Sequence, residues 1–460
     1  MTKRTVLLCT SLAVLLAASQ APGQFIAKDP GVRSGAAGAG DPLDGLTPTQ
    51  QEVFKAGRDD FREEDGIKSG LGPRFNLDSC AGCHAAPAIG GSSPSINPQV
   101  ALATAFGAKN VVPSFIKLNG PVREARFKYK ADGSRDGGVH ALFVISGRNE
   151  TGPAAPPEPG DASGCTITQE SFEPQVAHNN VIFRIPTPVF GLGLIESIPD
   201  YVIVANQQAT ASARSALGIL GRPNFTLPTP NPNRNGNDGT IARFGWKAQN
   251  KSLLMFAGEA YNVEQGISNE LFPQEREENP SCQFASVPND TTNMDGTSAA
   301  DMLNGIQKFA FFMKFLAAPT PGPASDSTNN GKKLFATTGC ALCHTPTLKT
   351  GPSEYTGLSG KDVNLFSDLM LHGMGPGLAD DILQGNARGD EFRTTPLWGL
   401  GQRIFFLHDG RTNDLKEAIL AHRSPASSRF SASEANQVIG RYLSLGESQK
   451  QDLLNFLRSL

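Results

Sequence analysis

The chain of 460 residues has little charge, few metal-binding side chains and, beyond its first twenty residues, no long apolar run. Lysine and arginine number 41 against 44 aspartates and glutamates, a net charge of −3. No basic surface therefore advertises nucleic acid, and no strong field advertises a membrane. No later segment approaches the roughly 20 apolar residues of a transmembrane helix. There are only seven cysteines and seven histidines, so each can be weighed individually. Glycine (49) and proline (33) are plentiful, which predicts many loops between the elements of a two- or three-domain chain.

The start of the chain reads as an export signal. Lys3 and Arg4 supply a positive region, Val6 to Ala18 an apolar run interrupted by Cys9, Thr10 and Ser11, and Ser19-Gln20-Ala21 small residues for cleavage. Residues 1–21 are expected to be removed near Ala21, leaving a periplasmic or secreted protein with no membrane span.

Two motifs carry the chemistry: Cys80-Ala81-Gly82-Cys83-His84 and Cys340-Ala341-Leu342-Cys343-His344. At this spacing two thiols can add across the vinyl groups of a haem while the adjacent imidazole turns onto the iron. One copy could be half a zinc site or a thiol redox pair. Two copies in an exported chain point to two covalent c-type haems, with Cys80, Cys83, Cys340 and Cys343 as attachment points and His84 and His344 as proximal ligands. Cys9 leaves with the signal, so Cys165 and Cys282 remain, and an oxidising compartment favours pairing them. Such a bridge would contribute on the order of 4–5 kcal/mol in chain-entropy models. Two buried free thiols are the other reading.

Along the chain, residues 22–45 lack periodicity and read as a flexible lead-in. Thr47-Pro48 opens a helix through Val53, Phe54 and Phe61. A weak repeat, Gly57 to Phe61 and Gly331 to Phe335, precedes each motif and suggests two similar units. Between them, Val139–Ser146 and Val181–Ile185 read as strands and Pro228–Gly239 as loop. Ala300–Leu316 reads as one helix with Met302, Ile306, Phe309, Met313 and Leu316 on its apolar face. Residues 319–330 form the best linker, and Glu447–Leu460 closes the chain as a helix. The expected fold is mainly α: a cytochrome-c-like domain over 46–318 with a large insertion holding a few short strands, then a second over 331–460.

Longer stretches resemble a known family. Leu397-Trp398-Gly399-Leu400, Phe406-Leu407-His408-Asp409-Gly410-Arg411 and Leu415 to His422 look like the C-terminal signature of the bacterial di-haem oxidoreductase (peroxidase) family. Phe190 to Glu196, Phe244 to Ala248 and Ser367 to Gly375 add matches, so the resemblance spans roughly 45–460. It implies kinship with the di-haem cytochrome c peroxidases, whose C-terminal haem takes its distal ligand from the helix after a similar His-Asp-Gly loop. The equivalent position here is His422, where those peroxidases usually have methionine. A bis-histidine iron would have a lower potential than a His/Met iron. The bland reading of His422 is a histidine favoured by a helix-end dipole.

The resemblance directs attention to other residues. His408 is expected to order its turn, with Arg411 reaching a haem carboxylate. His372 or Met374 could face the second haem or the space between haems, although the family commonly has aspartate where Gly373 stands. For the first haem, His178 and Met255 are candidate ligands. Glu196 is the candidate base for moving a proton between peroxide oxygens, with salt-bridging as its structural reading. Glu259 and Glu264, on an expected helix over 252–266, rank behind it. Calcium is carried as a further cofactor for which no residue pattern argues. The implied function is a periplasmic di-haem oxidoreductase that exchanges electrons with a small periplasmic partner and relays them from one haem to a second that reduces peroxide or oxidises another substrate. The alternative is a non-catalytic di-haem electron-transfer cytochrome.

Overall fold

A computed structural model describes residues 25–108, 110–145, 167–225, 240–276 and 287–460. The signal segment, the 228–239 loop, Cys165 and Cys282 lie outside these residues, and with them the expected disulfide.

Two crossed helix pairs frame the molecule. Helix α1 (Pro48–Arg62) starts at a capping box: Thr47 Oγ1 accepts from Gln50 N, and the Gln50 side chain accepts from Thr47 N. Its buried face is Val53, Phe54, Gly57 and Phe61, the spacing of one helical stripe. Helix α2 (Leu253–Gln265) is capped by Ser252 and stopped by Gly266 at φ 72°. Helix α3 (Gly305–Phe315) begins at Asn304, whose side chain accepts from Gln307 N. That cap splits the single helix expected over 300–316, because a side-chain acceptor at residue 304 competes with helix continuation from the short Ala299–Met302 turn. Helix α4 (Asp326–Thr338), capped by Ser325, ends at Gly339, φ 103°. Helices α5 (Leu415–Leu420), α6 (Asn436–Leu443) and α7 (Glu447–Ser459) complete the frame.

The repeat seen in the sequence is a packing device. Helix α1 crosses α3 at Gly57, where a Cβ would stand 2.3 Å from Lys308 O, and α4 crosses α7 at Gly331, where it would stand 2.0 Å from Asp452 O. Only a residue without Cβ allows so close an approach. One turn on, Phe61 packs against Phe312 at 4.9 Å and Phe335 against Phe456 at 5.5 Å. Each glycine and phenylalanine thus closes the floor of one helix crossing just before a cysteine motif.

Short sheets fill the remainder. Strand β1 (Glu124–Phe127) lies between β2 (Val139–His140) and β3 (Val181–Arg184), both antiparallel, with Ala125 opposite His140 and Phe183. The strand expected over Val139–Ser146 is interrupted, with Phe143–Val144 pairing to Arg74–Phe75 instead. Strands β4 (Leu371–Gly373) and β5 (Glu391–Arg393) pair with His372 opposite Phe392.

The expected flexible lead-in is instead a strap. Ala27 is buried, its N–H donates to Glu447, and the Asp29 carboxylate pairs with the buried guanidinium of Arg458 at 2.6 Å. Arg33 N donates to Gly401 O, and Leu43 N to Phe315 O. This segment has no periodicity of its own because its backbone partners come from distant chain. The expected linker is likewise shorter than 319–330, since α4 begins at Asp326. Among the described residues no helix is long and apolar enough to cross a membrane, and no group of three or more His, Cys, Asp or Glu could hold a metal ion.

Candidate functional site

Each motif opens on a cavity. Cys80–Cys83 forms one helical turn capped by Ser79, and His84 follows at its end. Cys340–Leu342 forms a tighter turn started by Gly339. The cavity beside the first motif holds about 160 Å³ and the one beside the second about 210 Å³. A single water needs only about 10–15 Å³, so these are spaces for a large group with a mostly apolar body. Burial pushes the thiols of Cys80, Cys83 and Cys340 upward, and among the described residues all four motif cysteines are free.

Three histidines share one signature. His84 Nδ1 lies 3.0 Å from Gly91 O, His344 Nδ1 3.0 Å from Phe366 O, and His422 Nδ1 2.8 Å from Ala418 O. A carbonyl can only accept, so Nδ1 carries the proton in each ring and Nε2 keeps its lone pair, the tautomer a metal-binding imidazole needs. Burial pushes His84 down to about 4, against the hydrogen bonds to the Gly91 and Thr187 backbones. Burial, reinforced by the field of His422, does the same to His344, and burial lowers His422. All three rings are thus neutral at physiological pH. His344 and His422 line the same cavity, whereas His84 is the one histidine lining the other.

The first cavity has a different wall. Glu264 on α2 and Glu124 on β1 both line it and are hydrogen-bonded to each other. Burial and the Glu124 charge drive Glu264 well above the usual carboxylate range. Burial raises Glu124 too, but Arg126 at 2.5 Å and the proton on Glu264 hold it low. Glu264 therefore releases its proton at higher pH than an ordinary glutamic acid, and its Oε2 also accepts from Asn76 at 3.1 Å. The Gln249 amide oxygen in the same cavity is buried without a partner.

Trp246 forms part of both walls. Its Nε1 donates to Ile185 O at 2.9 Å, and its ring meets His408 edge-on at 6.4 Å. His408, stacked on Phe392 at 4.4 Å, lines the second cavity, and burial pushes its pKa down to about 4. Beneath Trp246, buried Lys247 bonds Asp380 at 2.9 Å, and Asp380 also takes Arg184 at 2.6 Å.

Several expected site residues stand elsewhere. Glu196 lines neither cavity: its Oε1 accepts from Leu253 N at 2.9 Å, anchoring the start of α2, and its Oε2 pairs with Lys314 at 3.2 Å. His178 is exposed at the end of the Phe172–Ala177 helix, and Met255 lines neither cavity although its α2 neighbours Phe256 and Ala257 line the first. Arg411 is half-exposed and bonds Asp409 at 2.7 Å and Gly377 O at 2.8 Å, so it orders the turn without facing a cavity. His372 and Met374 do line the second cavity, but His372 has both nitrogens engaged, by Glu434 at 2.9 Å and Asp368 at 3.0 Å. Burial opposes its charge, yet Cys343 and Asp368 hold its pKa well above the ordinary histidine value, leaving no lone pair for a metal. Glu259, ranked with Glu264, takes a hydrogen bond from Asn250 and lines neither cavity.

Glu264, a secondary candidate in the sequence, lines the first cavity where Glu196 does not, and Trp246 and Glu124 line cavities although no sequence pattern singles them out as site residues. Trp246 lies inside a stretch that carried the family resemblance. The α2 periodicity could have set Glu264 beside Tyr261 and Gln265, but nothing in one dimension places it opposite a motif 180 residues earlier.

Residues 158–460 match the model of the family described as "Di-haem oxidoreductase, putative peroxidase". Among solved structures, the chain is similar to a MauG-like protein associated with microbial copper homeostasis, at 16% identity over 36% of this chain with a TM-score of 0.26. It spans about half of that protein, 55% of its length. It is also similar to hydrazine synthase of Kuenenia stuttgartiensis, at 14% identity over 96% of this chain and 100% of the other, with a TM-score of 0.35. No curated protein matches it.

Proposed function

The chain belongs to the di-haem oxidoreductase family, and from that premise we propose that it is an exported peroxidase-like enzyme with two covalent c-type haems of unequal access. In this reading Cys80 and Cys83 tether the first haem and Cys340 and Cys343 the second. The units run over 46–318 and from α4, which begins at Asp326, to residue 460, joined by the shorter linker of 319–325, after removal of residues 1–21. The fit rests on the two large cavities, each bordered by a thiol pair and by one or more neutral imidazoles whose Nδ1 is held by a backbone carbonyl.

The observation that carries the reading is the asymmetry. His344 and His422 would hold iron from both sides and close the second site, whereas His84 shares its cavity with the Glu264/Glu124 pair. Haem iron supplies one-electron transfer and, where one axial position stays open, peroxide reduction, H2O2 + 2H⁺ + 2e⁻ → 2H2O. The chain supplies the rest. Glu264 can give its proton to the leaving peroxide oxygen while Glu124, kept ionised by Arg126, takes the proton of the other peroxide oxygen, so the pair still holds one proton and the two that the reaction consumes come from solvent. Trp246, shared by both walls, supports electron passage between the sites. A small periplasmic donor would deliver electrons at the second, closed site.

Low-temperature electron paramagnetic resonance of the oxidised and half-reduced protein, with and without cyanide, tests this. A high-spin ferric signal that converts with cyanide beside an indifferent low-spin one is the expected result. Two low-spin centres indifferent to cyanide in both redox states would instead identify an electron carrier, with Met313 of the first cavity the side chain to examine.

A further inference from the structure

Seven arginines are buried among the described residues: Arg126, Arg184, Arg214, Arg243, Arg393, Arg403 and Arg458. Five have a carboxylate partner: Glu124, Asp380, Asp368, Asp200 and Asp29 respectively for Arg126, Arg184, Arg214, Arg243 and Arg458. Arg393 and Arg403 have none. Arg393, at the end of β5, donates only to carbonyls, Nε to Gly245 O at 3.0 Å and Nη1 to Thr394 O at 3.3 Å. Arg403 has a buried Nη2 with no partner at all. They are 7% and 9% exposed, and both face the cavity of Cys340, His344 and His422. Burial pulls each pKa down to about 10, and for Arg393 the charge of Arg403 adds to the effect, so the two guanidiniums lie close together and repel.

Two neighbouring buried cations with no counter-ion call for an anion in the space they face, because an uncompensated buried charge is strongly unfavourable. A guanidinium fork suits the two oxygens of a carboxylate or a phosphate, and a tetrapyrrole carries carboxylates. We propose that Arg393 and Arg403 form an anion clamp that takes the two carboxylates of the second tetrapyrrole, an assignment that rests on the haem reading above. This is the role the sequence had offered to Arg411, which is turned outward onto Asp409. The Arg393 N–H also donates to Trp246 O at 2.9 Å, so the clamp is built onto the wall between the cavities. Its positive charge offsets that of the carboxylates and holds the potential of the bis-histidine centre above the value it would have without them.

The test uses the haem-loaded protein and its Arg403→Gln, Arg403→Lys and Arg393→Gln variants. The readouts are resonance Raman bands of the propionate bending region and a potentiometric titration of the low-spin centre. Both glutamine variants should shift those bands and lower the potential, and Arg403→Lys, which keeps the charge, should retain most of the wild-type potential. Unmoved bands and potential in haem-loaded variants would overturn the clamp while leaving the haem reading intact. Inorganic phosphate or chloride titrated into the wild type distinguishes a free anion: a saturable change in potential that Arg403→Gln abolishes, with the Raman bands unmoved, also overturns it. Absence of haem from the second motif, read by haemochrome content per chain, would overturn the functional reading itself.

Discussion

Replacing Gly331 by alanine should loosen the carboxy-terminal helix pair by an amount that can be worked out from the crossing. The new Cβ would stand 2.0 Å from Asp452 O and 2.6 Å from Phe456 Cβ, where ordinary contact begins at 3.4 Å. The obstacle is backbone, so α4 and α7 must separate by more than an ångström, and overpacking of this kind costs about 1–3 kcal/mol. Alanine also favours the helix by about 1 kcal/mol over glycine, which subtracts from that loss. Because the clash is severe, the upper part of the range applies and the net loss should be about 1–2 kcal/mol. Gly440, inside α6, is the control: a Cβ there meets nothing within 4 Å, so Gly440→Ala should gain about 0.5–1 kcal/mol. Guanidinium unfolding of both variants measures the difference as a change in midpoint at constant slope. Equal midpoints for the two variants, or a Gly331→Ala protein as stable as wild type, would refute the packing argument for both glycines of the repeat.

Other outcomes follow from the buried charges. Glu264→Gln should slow peroxide turnover by about 10²–10⁴-fold while leaving the cyanide-sensitive signal in place, as steady-state rates beside spectra will show. The same variant tests linkage. Below the ordinary Glu pKa of 4.5 both states hold the Glu264 proton, whereas above it the unfolded chain releases a proton that the native state keeps. Wild-type stability therefore falls as pH rises towards the elevated native pKa, and the stability of Glu264→Gln relative to wild type should grow over that interval. Asp29→Ala should cost about 3 kcal/mol, because it leaves Arg458 buried with only the Leu400 and Arg403 carbonyls. Burial raises the Asp29 pKa, but Arg458 and the Leu415 and Gly31 amides bring it below 3.8. The contribution of Asp29 is present above pH 3.8 and lost as the pH falls through the native value, so acid unfolding curves of wild type and Asp29→Asn should converge at low pH.

What could be read in one dimension was local chemistry. The thiol pairs, their histidines and the Gly57/Gly331 repeat are short-range patterns, and each occupies a matching place in the two cavities or crossings. His422 follows a His-Asp-Gly turn in the sequence, and in the fold it lines the same cavity as His344. The misplacements are all long-range. Glu196 takes its salt-bridging reading, since Lys314 and the α2 backbone claim its carboxylate, and only the fold brings Glu264 to Glu124. Residues 25–45 read as loose because strap backbone satisfied by Gly401 and Phe315 leaves no period in its own sequence. The unpaired state of Arg393 and Arg403 is a statement about what does not surround them, which no local pattern records.

The strap has a consequence for assembly order. Asp29 and Arg458 are 429 positions apart, so their contact must wait until the chain has emerged as far as Arg458. A chain delivered amino end first has both cysteine motifs available before its leading segment can settle across the terminal helix. Seating of that segment is therefore a late event that follows synthesis of α7, and a bulky fusion placed just ahead of Ala27 would be felt at the opposite terminus.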